Sequence, residues 1–215
     1  MTVKNDFFAD RLLRKLDASD PVYAAFEAQD VSRNVGFDFS SFQDVIDRAL
    51  DEIRETKEAN FESGEDAKAH FGDELADIMF SIINIYRHAD LKDPPSLKVH
   101  ISDVTKHRTE DTETMQLIDD IGTLIKHTAT IAENHPKDLQ KAARELFDTG
   151  THNYIVLAQL NSFDPTILLK ENVRKYLLRC QAVEKLASEE DKCWADLAHN
   201  NEIVKYWQKA KINLK

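Results

Sequence analysis

Glycine and proline are scarce in this chain, five of each in 215 residues. Gly36, Gly64, Gly72, Gly122 and Gly150, like the prolines, fall mostly between long periodic segments. Strands and hairpins need turn punctuation more often than that, so the distribution points away from β structure and predicts an all-α protein. Cysteine is scarcer still. Cys180 and Cys193 form neither a metal-ligand pair nor a disulfide framework, which suits a reducing compartment. Long apolar runs are missing as well: IMFSIINIY (78–86) is too short to span a bilayer. The opening stretch, MTVKNDFFADRL, has acids where a signal peptide would have an apolar run. Together these features predict a cytoplasmic protein with no membrane partner. Positive charge is in deficit, 28 Lys and Arg against 39 Asp and Glu, for a net charge of −11. That balance argues against a nucleic-acid backbone as partner. A small anion is still compatible with it, provided a cation or local basic residues screen the charge.

Helical periodicity is what the chain has in quantity. Residues 6–30 carry two short helical patterns broken near Ser19-Asp20-Pro21, where Asp20 or Ser19 suits a helix cap. From Phe42 the apolar residues fall at 42, 45, 46, 49, 50 and 53, an amphipathic series that predicts a helix to about residue 59. A second strong helix is expected over 70–90, ending at the Asp-Pro-Pro of 93–95. Helices are expected again over 115–134, 136–160 and from Pro165 onward, with a last one near 200–211. No linker divides the chain, so residues 1–215 read as a single domain. A weak repeat at an offset of 71 pairs DELADI with RELFDT and DPPSL with DPTIL, as a duplicated helical hairpin would.

The second strong helix raises a chemical question. Glu74, Asp77, Ser81, Asn84 and His88 are spaced as one stripe along a helix that is otherwise apolar on most sides. Carboxylates beside buried surface are costly unless paired or bound to metal. Glu52 and Glu55, in the DEIRE segment of the preceding helix, repeat the i, i+3 arrangement, with Arg48 close to both. Packed as an antiparallel pair, the two helices would bring four carboxylates together. Like charges so placed raise one another's pKa, and Mg²⁺, a hard cation that prefers oxygen, would relieve them. A solvated acidic face is the plainer reading for Asp51, Glu52 and Glu55 alone. The five histidines at 100, 107, 127, 135 and 152 match no compact zinc spacing.

VGFDFSSFQDVIDRALDEIRE, an 18-residue spacer and ELAD resemble the MazG-type all-α nucleoside triphosphate pyrophosphohydrolases, whose pattern is EExxE, a spacer, then ExxD. NIYRHADLKDP, KYLLRCQAVE (175–184) and YWQKAK (206–211) are similar to later segments of that family. The resemblance covers about residues 30–98 and 164–211. It implies a helical bundle enlarged by an inserted helical segment, residues 99–163. It implies Mg²⁺, with Mn²⁺ as a substitute, held by Glu52, Glu55, Glu74 and Asp77, and Glu52 or Glu55 as the catalytic base. Arg48, Lys175 and Arg179 would contact phosphates, and Trp207 the base or sugar.

The implied reaction is hydrolysis of a (d)NTP at the α-phosphorus to a monophosphate and pyrophosphate, a nucleotide-pool house-cleaning activity. Alternatives are a narrower dUTPase- or dCTPase-like activity, or a metal-nucleotide binding module that has lost turnover. Several positions depart from the pattern: Asp51 stands for Glu, Leu178 for the first Arg of a pair, and Cys180 for an aromatic residue. The family builds its bundle from more than one chain. A homodimer is therefore expected, or a monomer in which the insert stands in for a partner. In the repeat, the first-helix acids read as Thr123, Leu124 and His127, while Glu145 and Asp148 persist, so a second metal site is not expected.

Overall fold

The computed structural model describes residues 7–34, 41–101 and 114–190, and these are helical with no strand among them. The principal helices are α1 (Phe8–Lys15), α2 (Pro21–Asn34), α3 (Phe42–Asn60), α4 (Ala67–His88), α5 (Thr114–Asn134), α6 (Leu139–Leu160) and α7 (Pro165–Glu190). Short 3-10 turns precede α2 and α6, and residues 97–101 are also helical. The segments at 35–40, 200–211 and Trp207 lie outside the described residues. No helix among the described residues is long and apolar enough to cross a membrane.

Local sequence explains the helix ends. The Ser41 hydroxyl accepts from Asp44 N at 3.1 Å and so caps α3. Asp20, of the two candidates, caps α2 by accepting from Val22 N at 3.0 Å. Asp164 does the same for α7, accepting from the backbone N–H groups of Thr166 and Ile167.

Four helices form the bundle that carries the site. α3 packs on α4 and α5 on α6, and the two hairpins meet with α3 against α5 and α4 against α6. Small residues let them approach closely. A Cβ on Gly122 would lie 3.3 Å from Ile53 Cγ2, and one on Gly150 would lie 2.8 Å from Ile82 Cδ1. α2 and α7 cover the remaining side of α4, and α1 lies across α2 and α7. Because α4 touches α2, α3, α6 and α7, its apolar residues point in almost every direction and are still buried. Leu75, Ile78, Met79, Ile82, Ile83 and Ile85 are all fully enclosed.

The offset of 71 has a structural counterpart. Added to the bounds of α3 and α4 it gives 113–131 and 138–159, against 114–134 for α5 and 139–160 for α6. Both second helices also stop in the same way. Asp90 after α4 and Ser162 after α6 take left-handed φ values of 58° and 60°. One residue beyond each, Leu91 N donates to Tyr86 O and Phe163 N to Ala158 O, the six-to-one bond of a Schellman ending. At this offset Thr123 and Lys126 replace Glu52 and Glu55. That corrects the expected equivalents: Thr123 stands, while Leu124 and His127 fall on other positions. Glu145 and Asp148 correspond to Glu74 and Asp77, and no metal-competent cluster forms around them among the described residues.

Candidate metal centre

α3 and α4 set their acids against one another across the first hairpin. Glu52, Glu55 and Glu74 each offer a carboxylate oxygen, and these oxygens lie within 4.8 Å of one another. Glu52 is the most enclosed at 3% exposure, Glu74 and Glu55 being half-buried. Asp51, one residue away, turns out to solvent, so the plain reading of a solvated acid holds for it and fails for Glu52.

The hydrogen-bond account of these acids is incomplete on one side. Glu52 Oε1 meets Arg48 at 2.5 Å, and Glu74 Oε1 meets His70 Nε2 at 3.1 Å. Glu52 Oε2 and Glu74 Oε2 are buried with no donor. Burial above all, then the charge of Asp77, pushes the Glu52 pKa from 4.5 up to about 8, against the opposing effect of Arg48. Burial and Asp77 also raise Glu74. Two buried acceptors without donors, beside a third carboxylate, are costly when ionised and suit a hard divalent cation bound through oxygen. The residues present therefore fit Mg²⁺ or Mn²⁺.

Asp77 is placed differently from the other three. It sits one turn beyond Glu74 on α4, outside the group of converging oxygens, and both its oxygens are engaged by α7. Asn172 Nδ2 donates to Oδ1 at 2.6 Å, and Lys175 Nζ lies 3.4 Å from Oδ2. The structure thus brings three of the four expected ligands together and holds the fourth beside them against a lysine.

The basic residues of α7 divide by helix face. Lys170 and Arg174 reach the N-terminal region, where they bond the Asp17 carbonyl at 2.6 Å and its carboxylate at 2.7 Å. Lys175 faces Asp77, and Arg179 follows one turn later, half-buried. Arg48 is engaged with Glu52 on one side and is 48% exposed on the other. Ser81 and Asn84 continue the polar stripe of α4 inward and are buried, whereas His88 is half-buried. Trp207 cannot be placed within this geometry, since it lies outside the described residues.

Two participants went unread in the sequence. Asn172 is buried on α7 three residues before Lys175, and that i, i+3 spacing puts both on the face toward Asp77. His70 precedes Glu74 by one turn and bridges it to Glu62, whose Oε2 lies 2.8 Å from Nδ1; that bond, foremost, raises the imidazole pKa. Glu184, from the KYLLRCQAVE segment, has a structural task instead. Its Oε2 accepts from Ala9 N at 3.3 Å, anchoring the first turn of α1 on α7. No protein family, curated protein or solved structure matches the chain.

Proposed function

We propose that this chain is a Mg²⁺-dependent nucleoside triphosphate pyrophosphohydrolase of the MazG-like all-α type, splitting a (d)NTP at the α-phosphorus into a monophosphate and pyrophosphate. The observation that carries the reading is the convergence of the Glu52, Glu55 and Glu74 carboxylates, two of which, Glu52 and Glu74, each have a buried oxygen with no donor. The ordered motif resemblance of the sequence supports it from a separate direction.

Mg²⁺ held by Glu52, Glu55 and Glu74 would neutralise phosphate charge and lower the pKa of a bound water. The chain's own residues supply the rest. Glu52 or Glu55, whichever keeps an oxygen off the cation, accepts the proton of the attacking water. Arg48 holds Oε1 of Glu52 and so fixes the direction in which Oε2 points. Lys175 and Arg179, one turn apart on α7, present two cations to the departing pyrophosphate. His70 keeps Oε1 of Glu74 occupied and leaves Oε2 buried without a donor.

α5 and α6 pack against the α3–α4 hairpin within the same chain, and in this reading they take the place that a second chain would otherwise hold. A compact monomer is therefore the working form in this reading. The test is direct. Purified protein with Mg²⁺ should release pyrophosphate from at least one canonical or damaged (d)NTP, and Glu74→Gln should slow that release by about two to three orders of magnitude while leaving the fold intact. Orthophosphate as the sole first product would refute the mechanism. Stabilisation by Mg²⁺ and nucleotide with no product at all would assign the chain to the binding-module class instead.

A further inference from the structure

We propose that Lys175 is an exchangeable partner of Asp77, so that arrival of a polyphosphate releases Asp77 to complete the metal site. This rests on the pyrophosphohydrolase reading above and concerns the order in which its parts assemble.

Three facts of geometry support it. First, Glu52, Glu55 and Glu74 converge, one carboxylate oxygen from each lying within 4.8 Å of the others, so three carboxylates are grouped for a cation. Second, Asp77 is held one helical turn away with neither oxygen free, since Asn172 takes Oδ1 and Lys175 takes Oδ2. Third, the two bonds differ in quality. The Asn172 contact is short, at 2.6 Å, and comes from a residue 5% exposed, whereas the Lys175 contact is long, at 3.4 Å.

Lysine is a compact charge on a flexible stem, able to change partners by rotating about its side-chain bonds. A triphosphate offers it a more highly charged acceptor than one carboxylate. When Lys175 leaves, Asp77 Oδ2 loses its counter-charge beside Glu52 and Glu74, and a cation becomes its best partner. Asn172 meanwhile keeps Oδ1 bonded, so the freed oxygen stays aimed rather than swinging away. Polyphosphate and metal therefore bind cooperatively, because each removes the cost of the other. The chain would keep a full four-carboxylate site only when a substrate is present.

The experiment is a double-mutant cycle read by Mn²⁺ affinity, using Asp77→Asn and Lys175→Met, separately and together, on the full chain. Binding of free Mn²⁺ and of preformed Mn²⁺–tripolyphosphate is measured by electron paramagnetic resonance and calorimetry. In the wild-type background Asp77→Asn should change free Mn²⁺ affinity by less than about threefold, yet weaken Mn²⁺–tripolyphosphate binding by about tenfold or more. Lys175→Met should tighten free Mn²⁺ binding, and adding Asp77→Asn to it should abolish that gain. Lys175→Gln, checked like the first variant by circular dichroism, serves as a second substitution if Lys175→Met does not fold. An equal cost of Asp77→Asn with and without tripolyphosphate, or a Lys175→Met gain that survives Asp77→Asn, overturns the exchange while leaving the metal site standing. Wild-type protein that binds Mn²⁺ in neither form overturns both this exchange and the function on which it rests.

Discussion

Replacing Glu52 with glutamine should make the metal-free protein more stable at mildly alkaline pH and less responsive to magnesium. Glu52 is nearly enclosed, with Oε1 on Arg48 and Oε2 without a donor. Burial first, and the charge of Asp77 second, move its pKa from 4.5 up to about 8. The folded chain thus holds this proton more tightly than the unfolded chain does. Its stabilising contribution is fully present below pH 4.5 and is lost as the pH rises through about 8. At about 1.4 kcal/mol per pH unit, that climb removes roughly 4 kcal/mol. The loss is a large part of the ~5–15 kcal/mol that usually separates folded from unfolded domains. Glu74 is shifted in the same direction by burial and Asp77, and adds to the loss with the same sign.

Glutamine has nearly the same shape, can still accept from Arg48, and has no proton to give up. Urea unfolding of wild type and Glu52→Gln should be followed from pH 4.5 to about 8, first with chelator and then with excess Mg²⁺. The metal-free wild type should weaken steadily toward the upper end, where the variant overtakes it. Mg²⁺ should then restore the wild type and do little for the variant, since the metal takes the place of the proton. A metal-free wild-type curve that is flat across this range, or parallel to that of the variant, would refute the reasoning.

The same chemistry predicts that metal binding expels protons when the pH is below about 8, Glu52 giving up to one per chain and Glu74 adding to it at lower pH, visible as a calorimetric heat that varies with buffer ionisation enthalpy. At the meeting of the hairpins, Gly150→Val should cost about 1–3 kcal/mol in urea unfolding, because even its Cβ would sit 2.8 Å from the enclosed Ile82. Phe147→Ala should cost about 3–5 kcal/mol by the same assay, since Phe147 is fully buried and its ring packs 4.8 Å from that of Tyr86.

The helices were readable because their apolar spacing is regular and their caps are local. Phe42, Val45, Ile46, Ala49 and Ile53 mark the face of α3, and the helix runs from Phe42 to Asn60, against an expected end near 59. Glu52, Glu55 and Glu74 were readable as a group because i, i+3 spacing on two helices joined by a short loop fixes which faces can meet. The placement of Asp77 was not. Its partners, Asn172 and Lys175, lie 95 and 98 residues away, and only the packing of α7 on α4 decides that they reach it first. His70 was missed for a different reason: a half-exposed histidine ahead of an acid carries no signal until Glu62 is seen on its other side. The repeat was nearly invisible in residue identities, because packing constrains helix length and contact size more tightly than it constrains which apolar residue is used.

Both hairpins of the bundle belong to one covalent chain, and that fact bears on how the protein behaves at low abundance. Helical pairs contributed by separate molecules come apart on dilution, by mass action, and a site built between them fades with them. Here the second pair is tethered, its local concentration set by the segment joining residues 88 and 114 rather than by expression level. Such a scaffold should stay assembled even in a cell that holds very few copies. The two tethered pairs need not match residue for residue either: Thr123 and Lys126 stand where the first pair has Glu52 and Glu55.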